Sequence, residues 1–190
     1  MAKAISYCDK GPYHWKWFIE ERRLGYILHV NTVIQWFKDK RGTVLDLGCG
    51  DSLIGSELLK ANPNVFLTGV DIDPEAIMLS KNLVKSPRAN FLCQNWGKIT
   101  HLRYDYVICS ELLEHLDGEL LPIVGAFCPM AVKGLYLTTP NALFHLGQVN
   151  EHHSREYTSE EILPILNRCY KDVELLLLGD DMHFRCLGVQ

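Results

Sequence analysis

The nine residues VLDLGCGDS (Val44–Ser52) decide how this chain is read. Thr43, Val44, Leu45 and Leu47 form a short apolar run with strand character, and the run ends on two glycines one residue apart. Gly48 and Gly50 let the backbone turn sharply and approach a ligand closely, because no Cβ stands in the way. Leu53–Lys60 has helical spacing. A second strand-like run, Val65–Val70, follows the turn Asn62-Pro63-Asn64 and ends in Asp71-Ile72-Asp73. Strand, glycine bend, helix, strand and carboxylate, in that order, make a βαβ unit whose ligand lies beyond the strand tips.

The alternation continues outward. Pro74–Leu83 reads as a helix with Asp73 as N-cap and Pro74 at the first helical position. Strands follow at Asn90–Cys93, Tyr104–Cys109 and Leu135–Thr138, the last ended by Pro140. Helices are expected at Glu119–Phe127 and at Ser159–Asn167, the latter capped from Thr158 or Ser159. Val173–Leu178 and His183–Leu187 read as a closing antiparallel hairpin. Upstream, Tyr13–Lys38 carries helical spacing broken near Gly25, hence two helices, the second ended by Arg41-Gly42. The expected fold is α/β: a doubly wound, mostly parallel, seven-stranded Rossmann-like sheet with a C-terminal antiparallel hairpin. Residues 1–190 are expected to form one domain, with 1–41 a helical lid and 42–190 the ligand-binding core.

Composition narrows the function classes. Hydrophobic residues are 47% and charged residues 22% of 190, which suits a globular domain and excludes disorder and coiled coil. Nineteen basic against 23 acidic residues leave a formal charge of −4, so a phosphate backbone is not the favoured partner, although a local basic patch fits within such a total. Seven scattered cysteines without a C-x-x-C pair, and no signal peptide, lead to the expectation of reduced thiols in a cytoplasmic protein. No apolar run approaches the ~18 residues of a membrane helix.

The ligand follows from the charges around the bend. Asp71 lies 21 residues beyond Gly50, where an acidic residue accepts hydrogen bonds from both ribose hydroxyls. The third glycine of a dinucleotide fingerprint would fall on Leu53, and Asp46 would repel a pyrophosphate. An acidic bend suits a cation. VLDLGCGDS and GVDID (residues 69–73) resemble the first and second motifs of class I S-adenosylmethionine-dependent methyltransferases, over roughly residues 42–160. The resemblance implies that Gly48 and Gly50 pack under the methionine part, that Asp71 holds the ribose, and that Asn95-Trp96 flank the adenine. Asp46, Ile72 and Ser110 complete the candidate cofactor set. One departure is Ser52, where the family often has glycine or alanine.

After the fourth strand comes Ser110-Glu111-Leu112-Leu113-Glu114-His115-Leu116, an E-x-x-E-H pattern. On a helix it would place Glu111, Glu114 and His115 on one face, an arrangement that calls for a metal, a substrate cation or a shared proton. Thr138-Thr139-Pro140-Asn141, His145 and Asn150–Thr158 follow. These stretches resemble a broad branch of small-metabolite methyltransferases. They also resemble the Hen-type small-RNA 3′-terminal 2′-O-methyltransferases. The second resemblance implies a divalent metal on Glu111, Glu114, His115 and His153, either Mn²⁺ or Mg²⁺; ligand softness favours Mn²⁺ or Fe²⁺. In that pattern Arg155 stands where an aromatic is expected.

Methyl transfer is an in-line displacement with a good leaving group, so the protein mainly aligns the acceptor and excludes water. An oxygen acceptor must also lose a proton, and Glu111, His115 and His153 are the candidate catalytic groups. Blander readings stand beside each of these. Glu114 and His115 would order the loop, His152 and His153 would be solvated, and Arg155 would pair with Glu151 or Glu156. The aromatic N-terminal stretch (Tyr13, His14, Trp15, Trp17, Trp36) is either a lid and acceptor wall or simply a packed helix face. Three functions remain: methyl transfer to a small molecule, metal-dependent methyl transfer to RNA, and a non-catalytic cofactor-binding module. The acceptor and the oligomeric state are silent in the sequence.

Overall fold

A computed structural model describes residues 7–144 and 150–190; His145 and residues 1–6 of the expected lid lie outside the described residues. Seven strands form one sheet in the order β3-β2-β1-β4-β5-β7-β6. They are β1 (Gly42–Leu47), β2 (Val65–Asp71), β3 (Ala89–Cys93), β4 (Tyr104–Ser110), β5 (Ala131–Pro140), β6 (Tyr170–Leu178) and β7 (Asp181–Val189). The helices are α1 (Tyr7–Lys10), α2 (Tyr13–Trp15), α3 (Leu24–Phe37), α4 (Leu53–Ala61), α5 (Pro74–Leu83), α6 (Leu120–Phe127) and α7 (Ser159–Cys169). The fold is Rossmann-like, mostly parallel, with an antiparallel C-terminal pair. Among the described residues no helix is long and apolar enough to cross a membrane.

The described chain divides into two compact units, one ending at Ile99 and the other starting at Thr100. In the first unit β1 pairs in parallel with β2, Leu47 opposite Val70, and β2 pairs in parallel with β3. Val44, Leu45, Asp46 and Leu47 are buried in succession, the pattern of a strand covered on both faces. Helix α5 has the expected bounds, and the Asp73 side chain accepts the Glu75 N–H at 2.8 Å while Pro74 occupies the first turn. The break in the N-terminal helices is not at Gly25, which lies inside α3. It falls at Glu21–Arg23, where Arg22 takes a left-handed conformation (φ 49) after a π-helical turn over Lys16–Glu20.

In the second unit β4 and β5 are parallel, and β7 runs antiparallel between β5 and β6. Strand β5 starts at Ala131 rather than Leu135, because Tyr104 of β4 pairs with Ala131 and Leu187 of β7 with Gly134, which extends the ladder upstream. Thr158 and Glu161 form a reciprocal capping box at the start of α7.

Buried Asn62 ties the first unit together. Its amide nitrogen donates to the Phe37 and Lys40 carbonyls at 2.7 and 2.8 Å, and its oxygen accepts the Asn64 N–H at 2.8 Å. Asn62→Ala leaves two buried or part-buried carbonyls without their donor, and should cost about 2–3 kcal/mol. At ~2–4 °C per kcal/mol for a chain of this size, calorimetry should record a melting point lower by about 4–12 °C.

Candidate cofactor bend and acid–histidine cluster

The two glycines turn the chain after β1. Gly48 and Gly50 have φ values of 69 and 53, a region that a Cβ makes costly. The Gly48 and Cys49 N–H groups both donate to the Val70 carbonyl, at 2.8 and 3.0 Å, so the bend folds back onto the end of β2. The Asp71 carboxylate closes the turn: Oδ2 accepts the Gly50 N–H at 2.9 Å and Oδ1 accepts the Asp73 N–H at 2.9 Å. The Ser80 hydroxyl donates to the Gly50 carbonyl at 2.8 Å. Ser52 also sits in the left-handed region (φ 56), a conformation glycine adopts without strain. Its buried hydroxyl has no partner among the described residues.

Three carboxylates crowd this bend. Burial pushes Asp46, near the end of β1, up to about 7, with the Asp71 charge adding to it. Burial also raises Asp71, opposed by its hydrogen bonds from the Asp73 and Gly50 amides. Asp51 is fully buried and draws the N-terminal segment onto the bend. It accepts the His14 backbone N–H and faces His14 Nδ1, both at 3.1 Å, and its carbonyl accepts Trp15 Nε1 at 3.0 Å. Tyr7 Oη lies 3.2 Å from the same His14 nitrogen. Sequence reading missed Tyr7 and Asp51, because the contact spans 37 residues and no local pattern announces it. After β3, Asn95 caps a 3-10 turn over Trp96–Lys98 by accepting the Gly97 N–H, and leaves Trp96 half-exposed. Ile72 is exposed, with 68% of its surface open.

The second unit holds the other cluster. The E-x-x-E-H stretch does not form the helical face expected of it. Strand β4 runs through Ser110, Glu111 turns the chain with φ 50, and Leu113–His115 is a single 3-10 turn. The Thr138 hydroxyl donates to Glu111 Oε1 at 2.8 Å and accepts the Glu111 N–H at 3.2 Å; Ser110 Oγ lies 3.1 Å from the same oxygen. Glu114 is 1% exposed and accepts the Thr139 hydroxyl at 2.9 Å. Burial raises both glutamates: the Glu114 charge adds to this for Glu111, while hydrogen bonds oppose it for Glu114.

Ligand atoms of Glu114, His115 and His153 lie within 4.8 Å of one another; Glu111 is outside that group. His115 Nδ1 donates to the His152 carbonyl at 2.7 Å, which leaves Nε2 with its lone pair, 3.7 Å from Glu114 Oε1. Burial lowers the His115 pKa. His153 Nδ1 donates to Glu156 at 2.7 Å, and its Nε2 accepts from the Asn150 amide at 3.1 Å. The two imidazoles meet edge-on, 5.1 Å between centroids. His152 and His153 are thus part-buried loop residues rather than solvated ones. Glu156 serves His153, and Arg155 pairs with Glu161 instead.

Residues 45–127 match the family described as a methyltransferase domain. The chain is 36% identical over 106 residues to the ubiquinone biosynthesis O-methyltransferase of Coxiella burnetii (strain Dugway 5J108-111), covering 53% of this chain and 44% of that one. It spans less than half the length of the curated relatives it matches. Among solved structures it is similar to magnesium protoporphyrin IX methyltransferase from Synechocystis PCC 6803 with bound SAH (S-adenosylhomocysteine), with a TM-score of 0.72 and 18% identity over 96% of this chain and 95% of that one. It is also similar to the methyltransferase domain of bacterial CtHen1-C, with a TM-score of 0.66 and 24% identity over 85% of this chain and 97% of that one. At these identities both structures speak for the fold.

The buried Asp46 makes stability depend on pH. Its folded-state pKa is raised, so the folded state holds a proton that the unfolded state releases, and stability falls as pH rises from the unfolded value of 3.8 to about 7. Asp46→Asn removes that loss. Urea denaturation should show the variant gaining on the parent across this window, by on the order of 1–4 kcal/mol above pH 7 and by little at pH 4.

Proposed function

We propose that this chain is a class I S-adenosylmethionine-dependent methyltransferase and that it transfers a methyl group from that donor to an oxygen or nitrogen of a small-molecule acceptor in the cytoplasm. The observation that carries the reading is the Asp71 carboxylate. It bridges the glycine bend and the start of α5 through one N–H on each oxygen. A carboxylate has about four lone-pair sites, so accepting capacity remains for a ribose diol beyond the amides that Asp71 already receives. The donor set therefore fits an adenosyl group, and the surrounding acids Asp46, Asp51 and Asp71 fit a cationic one.

S-adenosylmethionine supplies an electrophilic methyl group on a sulfonium with a neutral leaving group. In this reading Gly48 and Gly50 give the methionine part its close approach, Asp46 supplies negative charge beneath it once a bound cation favours its ionised form, and Asp71 holds the ribose. Ile72, Asn95 and Trp96 flank the adenine. Ser110 is the remaining cofactor candidate, and the described residues 7–41 are the expected lid over the bend. Glu111, His115 and His153 are the candidate groups for taking the acceptor proton. His115 suits the task, because its Nδ1–H is committed to the His152 carbonyl and its Nε2 is unprotonated. The ubiquinone biosynthesis relatives support oxygen as the accepting atom.

A second reading, metal-dependent methyl transfer to the 2′-oxygen of an RNA 3′ end, is favoured by one observation. Glu114, His115 and His153 gather their ligand atoms within 4.8 Å, and each imidazole keeps its Nδ1 proton on an oxygen of the loop; the His115 Nε2 is left for a ligand, and the His153 Nε2 becomes one on releasing the Asn150 amide. Those three residues would hold an ion such as Mn²⁺, and the ion would lower the pKa of a bound hydroxyl.

Titration calorimetry with S-adenosylhomocysteine should show binding, and Asp71→Ala should weaken it about ten-fold or more, the worth of a charge-assisted hydrogen bond. A parent protein that does not bind sinks the reading. Methyl transfer to an RNA 3′ end that is abolished by EDTA and restored by Mn²⁺ would move the assignment to the second reading.

A further inference from the structure

The bend has more carboxylates than donors. The charges that act on the Tyr7 and Tyr13 hydroxyls come from Asp51, Asp71 and Asp73, all acids. Four backbone amides of the bend are already engaged: those of Gly48 and Cys49 on Val70, that of Gly50 on Asp71 and that of Ser52 on the Cys49 carbonyl. A ligand with an amino-acid end would find its ammonium welcome there and its carboxylate without a partner.

One group is positioned to supply the missing donor. A Cβ on Gly50 would fall 2.1 Å from Tyr7 Oη and 3.3 Å from His14 Cε1, so the absent side chain is what lets Tyr7 and His14 reach the bend. The protons can be assigned from chemistry. The Asp51 carboxylate only accepts, so His14 Nδ1, 3.1 Å away, carries a hydrogen and donates it. That nitrogen cannot also accept from Tyr7, whose oxygen lies 3.2 Å from it. The Tyr7 proton therefore points elsewhere. Tyr13, stacked on Tyr7 at 4.8 Å, is the neighbouring hydroxyl. The two phenols own two protons, and a contact between the hydroxyls uses at most one of them, so one O–H remains to donate outward.

We propose that the Tyr7–Tyr13 hydroxyl pair, held against Gly50 by His14 and the buried Asp51, binds the amino-acid carboxylate of the methyl donor. This rests on the methyltransferase reading of the bend. Tyr7 and Tyr13 are the binding groups, and His14 and Asp51 are positioning residues. Both hydroxyls stay protonated at any working pH, because burial raises them, Tyr13 to about 12.

Two ligands separate this contact from a general effect on the site. S-adenosylhomocysteine carries the amino-acid end, and 5′-methylthioadenosine lacks it while keeping the adenosyl part. In calorimetric titrations the double variant Tyr7→Phe/Tyr13→Phe, which keeps both rings, should bind S-adenosylhomocysteine about ten-fold more weakly and methylthioadenosine within about two-fold of the parent. His14→Ala, which releases the hydroxyls without removing them, should show the same selectivity with a smaller loss. Equal weakening of both ligands, or no change in either, overturns the proposal. If the parent binds neither ligand, the methyl-donor reading itself fails, and that result is distinct from failure of the tyrosine contact.

Discussion

One hydrogen bond organises the first half of this protein: the Gly50 N–H on the Asp71 carboxylate, at 2.9 Å. The parallel register of β1 and β2 brings Leu47 level with Val70, so the residues that follow each strand emerge side by side. The Val70 carbonyl then receives two amides of the bend, and Asp71 receives a third. A bend built this way has one shape. Its glycines hold positive φ, and Gly50 leaves room for Tyr7 and His14 to approach from a different part of the chain. The same carboxylate accepts the first amide of the turn into α5, so strand end, bend and helix start are fixed by one side chain.

That arrangement carries an electrostatic cost. Asp46, Asp51 and Asp71 are all buried or nearly so, and burial raises Asp46 and Asp71. Hydrogen bonds offset part of the cost at Asp71 and at Asp51, where backbone and imidazole N–H groups supply the donors. A bound cation would offset more, because it favours the ionised form of each acid. Any ligand that binds the folded state alone also stabilises it by mass action. An acidic bend of this kind makes stability and cation binding two expressions of the same charge distribution.

The parts of this design carried by neighbouring residues were legible in the sequence. Asp73-Pro74 set the start of α5 through an N-cap and a fixed φ, and both act within three residues. The buried run of β1 and its glycines announced the bend. Long-range features were not legible. Asp51 reads as one more loop acid until the fold brings His14 to it, and Asn62 reads as a turn residue although its amide serves two carbonyls more than twenty positions away. The E-x-x-E-H stretch misled for a different reason. Its spacing suits a helix, but the left-handed turn at Glu111, anchored on Thr138, uses the first residues to leave the strand and allows only one 3-10 turn.

The acid–histidine cluster owes its form to that same exit. Because the chain leaves β4 sharply, the Glu114 carbonyl is free to accept the Ser154 and Arg155 amides, at 2.7 and 3.2 Å, and this draws the loop of residues 150–158 onto the turn. The loop then returns its own carbonyl at His152 to His115. A purely structural loop anchor would need only these backbone contacts. It would not need Glu114 buried beside two imidazoles whose Nδ1 protons are both committed to oxygen acceptors. Holding the unprotonated His115 Nε2 3.7 Å from a buried carboxyl is a costly arrangement unless a proton, a substrate hydroxyl or a cation joins them. Its position after the carboxyl ends of β4 and β5 is where folds of this class do chemistry. The packing of the loop explains how the groups meet, and the His115 Nε2 beside the Glu114 carboxyl is the atom pair that a reacting partner would join.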